Sequence, residues 1–196
     1  MKGRDSGMPD EALWESFFDP ACVVGRLDCW GSSGNVVEFG CGYGTFTTPA
    51  ASRVPGIVLA LDIDEGMVAA TSGRALRAGL SNVVVERRDF VADGCGLPDA
   101  SAGYAMLFNI LHIEDPVALL GEARRALAPG GKAGIIHWRN DVDTPRGPAL
   151  AIRPTPGQCR AWGEAAGLEF VRHEALGCCP WHWGMVMRRP VAADGR

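Results

Sequence analysis

The stretch Val36-Val37-Glu38-Phe39-Gly40-Cys41-Gly42-Tyr43-Gly44-Thr45 is an apolar run that reaches a carboxylate and then places glycine at three alternate positions. Glycine there lets a chain leaving a strand turn sharply, bring its backbone close to a ligand and aim amide groups at it. A glycine-rich turn on its own can also be a plain tight connection. About twenty residues on, Ile57-Val58-Leu59-Ala60-Leu61 ends at Asp62, where a carboxylate can accept both hydroxyl hydrogens of a ribose. A glycine turn followed by an acid closing the next strand points to an adenosine-type ligand.

The rest of the pattern supplies a sheet to carry that turn. Asn35–Phe39, Gly56–Leu61, Asn82–Glu86, Gly103–Phe108 and Lys132–Trp138 read as strands bounded by glycine, proline or serine. Helices are expected at Thr45–Arg53, Glu65–Ala78 and Pro116–Leu127, the last stopped by Pro129-Gly130-Gly131. The connection Asp89–Ser101 is too rich in Gly, Asp and Pro to read as a helix with assurance. A proline-bearing stretch Arg139–Pro154 and a helix near Gly157–Ala166 come next, then two apolar runs, Leu168–Ala175 and His182–Met187, joined closely enough to pair antiparallel. The expected fold is α/β: a doubly wound, mostly parallel seven-stranded Rossmann-like sheet with a C-terminal antiparallel strand, in a three-layer sandwich.

At 196 residues one compact unit is expected, with residues 1–33 as a helical cap, 34–138 as the ligand-binding core and 139–196 as a substrate-side loop, helix and closing strand pair. Apolar residues make up 47% and charged residues 21%, so the chain should fold. A net charge of -4 without a basic run gives no footprint for a phosphate backbone, which argues against nucleic acid as partner. The start lacks a signal-type apolar stretch, and no run of about 18 apolar residues occurs, so a soluble cytoplasmic protein is expected, without a membrane partner. Seven cysteines lack paired zinc-type spacing and are expected to be reduced, mostly structural thiols.

The glycine spacing separates two families that share the turn and the acid. Dinucleotide sites want a third glycine three residues after the second, where this chain has Thr45. The chain resembles instead the class I S-adenosylmethionine-dependent methyltransferases, in particular their small-molecule, type 11-like branch. The stretches VVEFGCGYGTF, LALDIDEGMV, RRDF, GLPDASAGYAMLFNILHIEDP and EARRALAPGGKAGIIHW carry the resemblance, and LEFVRHEAL and HWGMVMRR resemble the closing strand pair. It implies that Glu38 and the backbone of Gly40, Cys41, Gly42 and Gly44 hold the methionine end of S-adenosylmethionine. Asp62 would hold the ribose, Ile63 one adenine face, Asp89 and Phe90 its amino edge, and Asn109 would sit beside the sulfonium. One departure is that Asp89 stands eight residues before Leu97, with Gly94-Cys95-Gly96 filling the gap.

The acceptor side follows from topology, because ligands of open parallel sheets bind outside the carboxyl ends of the strands. His112 and His137 are candidate general bases, each with a structural alternative. Trp138, Arg146, Trp181, His182 and Trp183 could wall one acceptor pocket, or the tryptophans could be core. The expected reaction is methyl transfer to an O, N, S or C atom of a small molecule, leaving S-adenosylhomocysteine, in a monomer or dimer. The alternatives are a nicotinamide-dependent oxidoreductase and a non-catalytic cofactor-binding regulator. Arsenic capture by Cys178-Cys179 and zinc held by His112, His137 and His182 are minor readings, and no metal is expected.

Overall fold

The computed structural model of the protein describes residues 8–191; the part of the expected 1–33 cap before residue 8 lies outside them. Two short helices, α1 (Glu11–Glu15) and α2 (Pro20–Arg26), precede β1 (Asn35–Phe39). The alternating core follows as α3 (Thr47–Ala51), β2 (Val58–Asp62), α4 (Glu65–Arg77), β3 (Val83–Arg87), α5 (Phe90–Asp93), β4 (Ala102–Phe108), α6 (Pro116–Ala126) and β5 (Leu127–Trp138). α7 (Pro156–Ala165), β6 (Glu169–Glu174) and β7 (His182–Arg188) close the chain. The seven strands form one sheet in the order β3-β2-β1-β4-β5-β7-β6. β1 to β5 run parallel and β7 is antiparallel to both β5 and β6, as the alternation of strand-like and helix-like segments implies.

Local sequence starts the helices where the periodicity places them. Asp64 accepts from the amides of Gly66 and Met67 at the head of α4, whose last turn carries Arg74 and Arg77. Asp115 caps α6 ahead of Pro116, and Thr155 with Gln158 forms a reciprocal capping box on α7. Strand side chains alternate between faces, so the sheet carries two cores. Val37, Phe39, Leu107 and Ile135 pack on the α6–α7 side; Val36, Met106, Ile136 and Val186 pack on the side of α2 and α3. The reversal between β1 and β4 opens a crevice at the strands' carboxyl ends.

Two expectations are corrected. Pro129-Gly130-Gly131 is no turn outside the sheet: α6 stops at Ala126 and β5 already runs from Leu127. The Gly130 amide donates to the Arg189 carbonyl, and the Arg189 amide donates to the Gly131 carbonyl, which ties the stretch to the tail of β7. The irregularity is absorbed as a register shift between Ala102 and Tyr104. The cysteines are also not all free, because Cys22 and Cys178 form a disulfide between α2 and the β6–β7 turn. Cys29, Cys41, Cys95, Cys159 and Cys179 are buried thiols. No helix among the described residues is long and apolar enough to cross a membrane.

The N-terminal segment is fastened to the sheet by polar contacts as well as by its apolar face. Val23, Val24 and Leu27 are fully buried, and Tyr104 donates its hydroxyl to the Leu27 carbonyl at 2.6 Å. Asp28 accepts from Lys132 at 2.8 Å and from Arg172 at 2.9 Å and 3.0 Å, and Glu174 pairs with Arg26 and Arg172. The Arg172 hydrogen bond is the largest influence holding the Asp28 carboxyl down, at about 2, with Lys132 adding to it against a desolvation cost. A depressed carboxyl stabilises the fold above its unfolded pKa, and that contribution fades as pH falls through the folded value. Asp28 lies in the left-handed region at φ 66°, which asparagine also tolerates, so Asp28→Asn isolates the charge. Expected at pH 7 is a loss of about 1 kcal/mol, discounted for solvent screening, or roughly 2–4 °C in melting temperature. The gap to the parent protein should close between about pH 4 and pH 2 in a calorimetric pH series.

Candidate active site

The turn after β1 is built from left-handed glycines: Gly40, Gly42 and Gly44 have φ of 80°, 54° and 74°. Its first amides, from Gly40 and Cys41, both donate to the Leu61 carbonyl at 2.9 Å, which holds the turn against the end of β2. The Gly42 amide then donates to Asp62 Oδ2 at 2.9 Å, while Asp62 Oδ1 accepts from the Asp64 amide at 3.0 Å. Thr71 on α4 donates to the Gly42 carbonyl at 2.7 Å. A Cβ on Gly44 would stand 3.1 Å from the Thr71 side chain, so this glycine serves the close approach of α4. Burial raises the Asp62 carboxyl above its ordinary value, against the backbone amides of Asp64, Gly42 and Ile63, which favour the ion.

Turn and acid open into a cavity of about 110 Å³. Gly40, Cys41, Gly42, Asp62, Ile63, Phe90, Asn109 and His112 contribute to its wall, so eight of the expected site residues come together. Ile63 also borders an open groove of about 590 Å³ with Arg87, Arg88, Asp89 and Asp93. Asp89 lies in that groove, accepting from the Ala92 amide to cap α5. Phe90 is fixed by an edge-on contact to Phe39, 5.5 Å between centroids. Asn109 stands at φ 56°, and both atoms of its buried amide lack a partner among the described residues. Leaving such an amide without a partner costs stability, so Asn109 is a candidate to receive a ligand's polar group.

Glu38 lies behind the turn. It is 1% exposed on the side of the sheet under α3, where Oε2 accepts from the Thr47 hydroxyl at 2.5 Å. Burial, with Asp62 adding repulsion, pushes its carboxyl up to about 8 against the Thr47 bond. Of the two candidate bases, His112 faces the cavity, and His137 is fully buried behind it, Nε2 lying 3.2 Å from His112 Nδ1. Burial lowers the pKa of both rings, which keeps them neutral near pH 7.

The expected acceptor wall does not assemble as one surface. His137 pairs across the ladder with Trp183, and Trp138 with His182; adjacent strand residues point to opposite faces, so the two pairs are divided by the sheet. His137 stacks on Trp183 at an interplanar angle of 27°. Trp138 and His182 lie on the other face, against Phe17 and Phe18. Trp181 meets Phe17 edge-on, and Arg146 is exposed, its carbonyl accepting from Thr144. Met8, Trp14, Phe46, Phe108 and Ile110 complete the cavity wall instead. Phe108 and Ile110 follow from the rim expected at the end of the fourth strand, and Trp14 lies on a helical stretch expected before the first strand, where its ring can pack or cover the site; Met8 reaches the cavity through the path of the N-terminal segment, which no periodicity encodes.

A doubly wound sheet whose glycine turn and strand-end acid share one cavity at the topological switch is the arrangement on which open α/β sheets bind nucleosides. Residues 36–131 match the family model described as a methyltransferase domain. A nocamycin O-methyltransferase from Saccharothrix syringae is 33% identical over 108 residues, 52% of this chain and 36% of that protein. A sterol 24-C-methyltransferase from Gibberella zeae is 28% identical over 172 residues, 76% of this chain and 44% of that protein. The chain thus spans less than half the length of these curated relatives. A SAM-dependent methyltransferase structure from Aquifex aeolicus superimposes with a TM-score of 0.77 at 23% identity, over 92% of this chain and 94% of that one, which shows the shared fold. The matched stretch is thus that of a methyltransferase domain, carried on the fold shared with S-adenosylmethionine-dependent methyltransferase structures.

The Glu38 environment gives a test in the free protein. A carboxyl whose folded pKa is raised contributes stability that is full below its unfolded value near 4.5 and is lost as pH rises through about 8. Glu38→Gln keeps an acceptor for Thr47 and removes the titration. Relative to the parent, this variant should gain stability steadily from about pH 4.5 to pH 8, on the order of 1–3 kcal/mol, in urea titrations. A pH-independent difference would place the carboxyl's ionisation elsewhere.

Proposed function

We propose that the protein transfers the methyl group of S-adenosylmethionine to a small-molecule acceptor, and that the cavity between the glycine turn, Asp62 and Asn109 is where donor and acceptor meet. The observation that carries this is the Gly42–Asp62 hydrogen bond, which puts the turn and the strand-end acid on one cavity beside an Asn109 amide that lacks a partner among the described residues. The donor set fits the group. Asp62 would accept the ribose hydroxyls, Ile63 and Phe90 would flank the adenine with Asp89 at its edge, and the turn at Gly40–Gly44 would receive the methionine end, with Glu38 behind it. When bound, S-adenosylmethionine supplies an electrophilic methyl on a cationic sulfur.

The chain's own contribution is alignment and exclusion of water. Asn109 fixes a polar group at the end of β4, while Trp14, Phe46 and Phe108 give an apolar wall against which an acceptor can be held. Of the two candidate bases, His112 is placed to take a proton from a protic nucleophile. His137 would act through it. The net charge of -4 favours a small molecule over nucleic acid as acceptor. Thr45 in place of a third dinucleotide-type glycine disfavours the nicotinamide reading.

Calorimetry with S-adenosylhomocysteine should give a dissociation constant in the micromolar range, roughly -7 to -8 kcal/mol. Asp62→Ala should weaken it by about tenfold or more, since it removes both a ribose acceptor and the anchor of the Gly42 amide. Absence of heat with either the donor or its product would sink the proposal. Product formation with tritiated donor across a panel of hydroxyl, amine and thiol acceptors separates an enzyme from a binding module.

A further inference from the structure

The N-terminal segment and the C-terminal rim meet at three sulfurs. Cys22, in the first turn of α2, is bonded to Cys178 in the β6–β7 turn, and both are half-buried rather than enclosed, so a reagent can reach them. The adjacent Cys179 is a fully buried free thiol whose sulfur accepts from the Asp19 amide at 3.4 Å. Burial pushes that thiol's pKa up, so it stays protonated and is a poor attacker on the neighbouring bridge. The bridge is therefore guarded against internal exchange and open to an external thiol.

Its position matters because of what precedes it in the chain. Phe17 packs edge-on against Trp138 and Trp181, and Phe18 leans on His182 and Phe46. Upstream, Trp14 forms part of the cavity wall, and Met8 lies where a Cβ on Gly42 would be 3.2 Å from its methyl. Residues 8–18 thus cover the very glycine a ligand must approach. The cavity beneath them, about 110 Å³, is well below the roughly 300 Å³ of an ordinary ligand pocket. Admission of a nucleoside requires the cover to lift. α2 itself is fixed by Val23 and Val24, and the cover is held by Arg74 on Glu11 and Glu15 and by the Tyr43 hydroxyl on the Pro9 carbonyl; the Cys22–Cys178 bond adds a covalent tie between the rim and the first turn of α2, four residues past the cover.

We propose that Cys22 and Cys178 form a reversible thiol–disulfide modification site, a substrate for a dithiol reductant, whose state sets how freely residues 8–18 lift from the nucleoside cavity. One thiolate of the reductant attacks a sulfur of the bridge to give a mixed disulfide, and its second thiol displaces that sulfur. Two electrons and two protons pass to the protein, leaving Cys22 and Cys178 as thiols and the reductant as a disulfide. The fold persists, because the docking of α2 does not depend on the bond.

The gating half of this inference rests on the function proposed above, and the experiment keeps the two apart. Peptide mapping of the oxidised full chain should recover the Cys22–Cys178 pair, and excess dithiothreitol should open it. Hydrogen exchange in residues 8–18 should then run about five- to tenfold faster in the reduced protein, with that in β4 unchanged. Stopped-flow association of S-adenosylhomocysteine should be at least about threefold faster in the reduced protein, as expected when the binding-competent fraction rises. Cys22→Ser should match the reduced parent with and without oxidant, and the reduced parent supplies the same state should that variant not fold. Failure to find the pair, or equal exchange in both states, overturns the site; faster exchange with unchanged association overturns the gating. Faster exchange with no binding in either state leaves the tether standing and removes the proposed function instead.

Discussion

One hydrogen bond organises the active end of this molecule: the Gly42 amide on Asp62. It joins the turn after one strand to the acid closing the next, and it is possible only because Gly42 takes a left-handed conformation that other residues resist. With the Gly40 and Cys41 amides on Leu61 and the Thr71 hydroxyl on the Gly42 carbonyl, the turn is held at three points before any ligand arrives. Such preorganisation is what a site that works by alignment needs, since every bond fixed in advance is a freedom the ligand does not have to freeze.

The fold was legible to the extent that its signals are local. Alternating apolar runs, helical periodicity and the glycine turn each act over a few residues, and all five parallel strands fall within two or three residues of where those signals put them, except the early start of β5. That exception is instructive. Pro129-Gly130-Gly131 has the chemistry of a turn, but backbone partners on Arg189, some sixty residues away in sequence, draw it into the sheet. Tertiary pairing outvoted local preference there, and the Cys22–Cys178 pairing is equally invisible to spacing alone.

The site divides along the same line. Residues fixed by strand ends and by the turn, such as Asp62, Ile63 and Asn109, reach the cavity as the topology demands. The acceptor wall was expected from the rim at the strands' carboxyl ends, which says where a segment arrives but not which face its side chains take. Neighbours on a strand face opposite ways, which sends His137 and Trp183 to one side and Trp138 and His182 to the other. The aromatic surface on the cavity side comes instead from α3, from the end of β4 and from a segment before the first strand. A shared fold leaves such walls free to vary, which is why the same sheet serves many acceptors.

The bridge between α2 and the last turn has a further effect on the chain as a whole. Its ends stand 156 positions apart in sequence, so it closes a ring that contains every strand from β1 to β6 and leaves α1 and β7 outside. A denatured ring is more compact than an open chain and exposes less surface, so the oxidised molecule should lose less from each increment of urea than the reduced one does. Collapse from that state also begins with α2 and the β6–β7 turn already side by side, a long-range encounter settled before the sheet assembles.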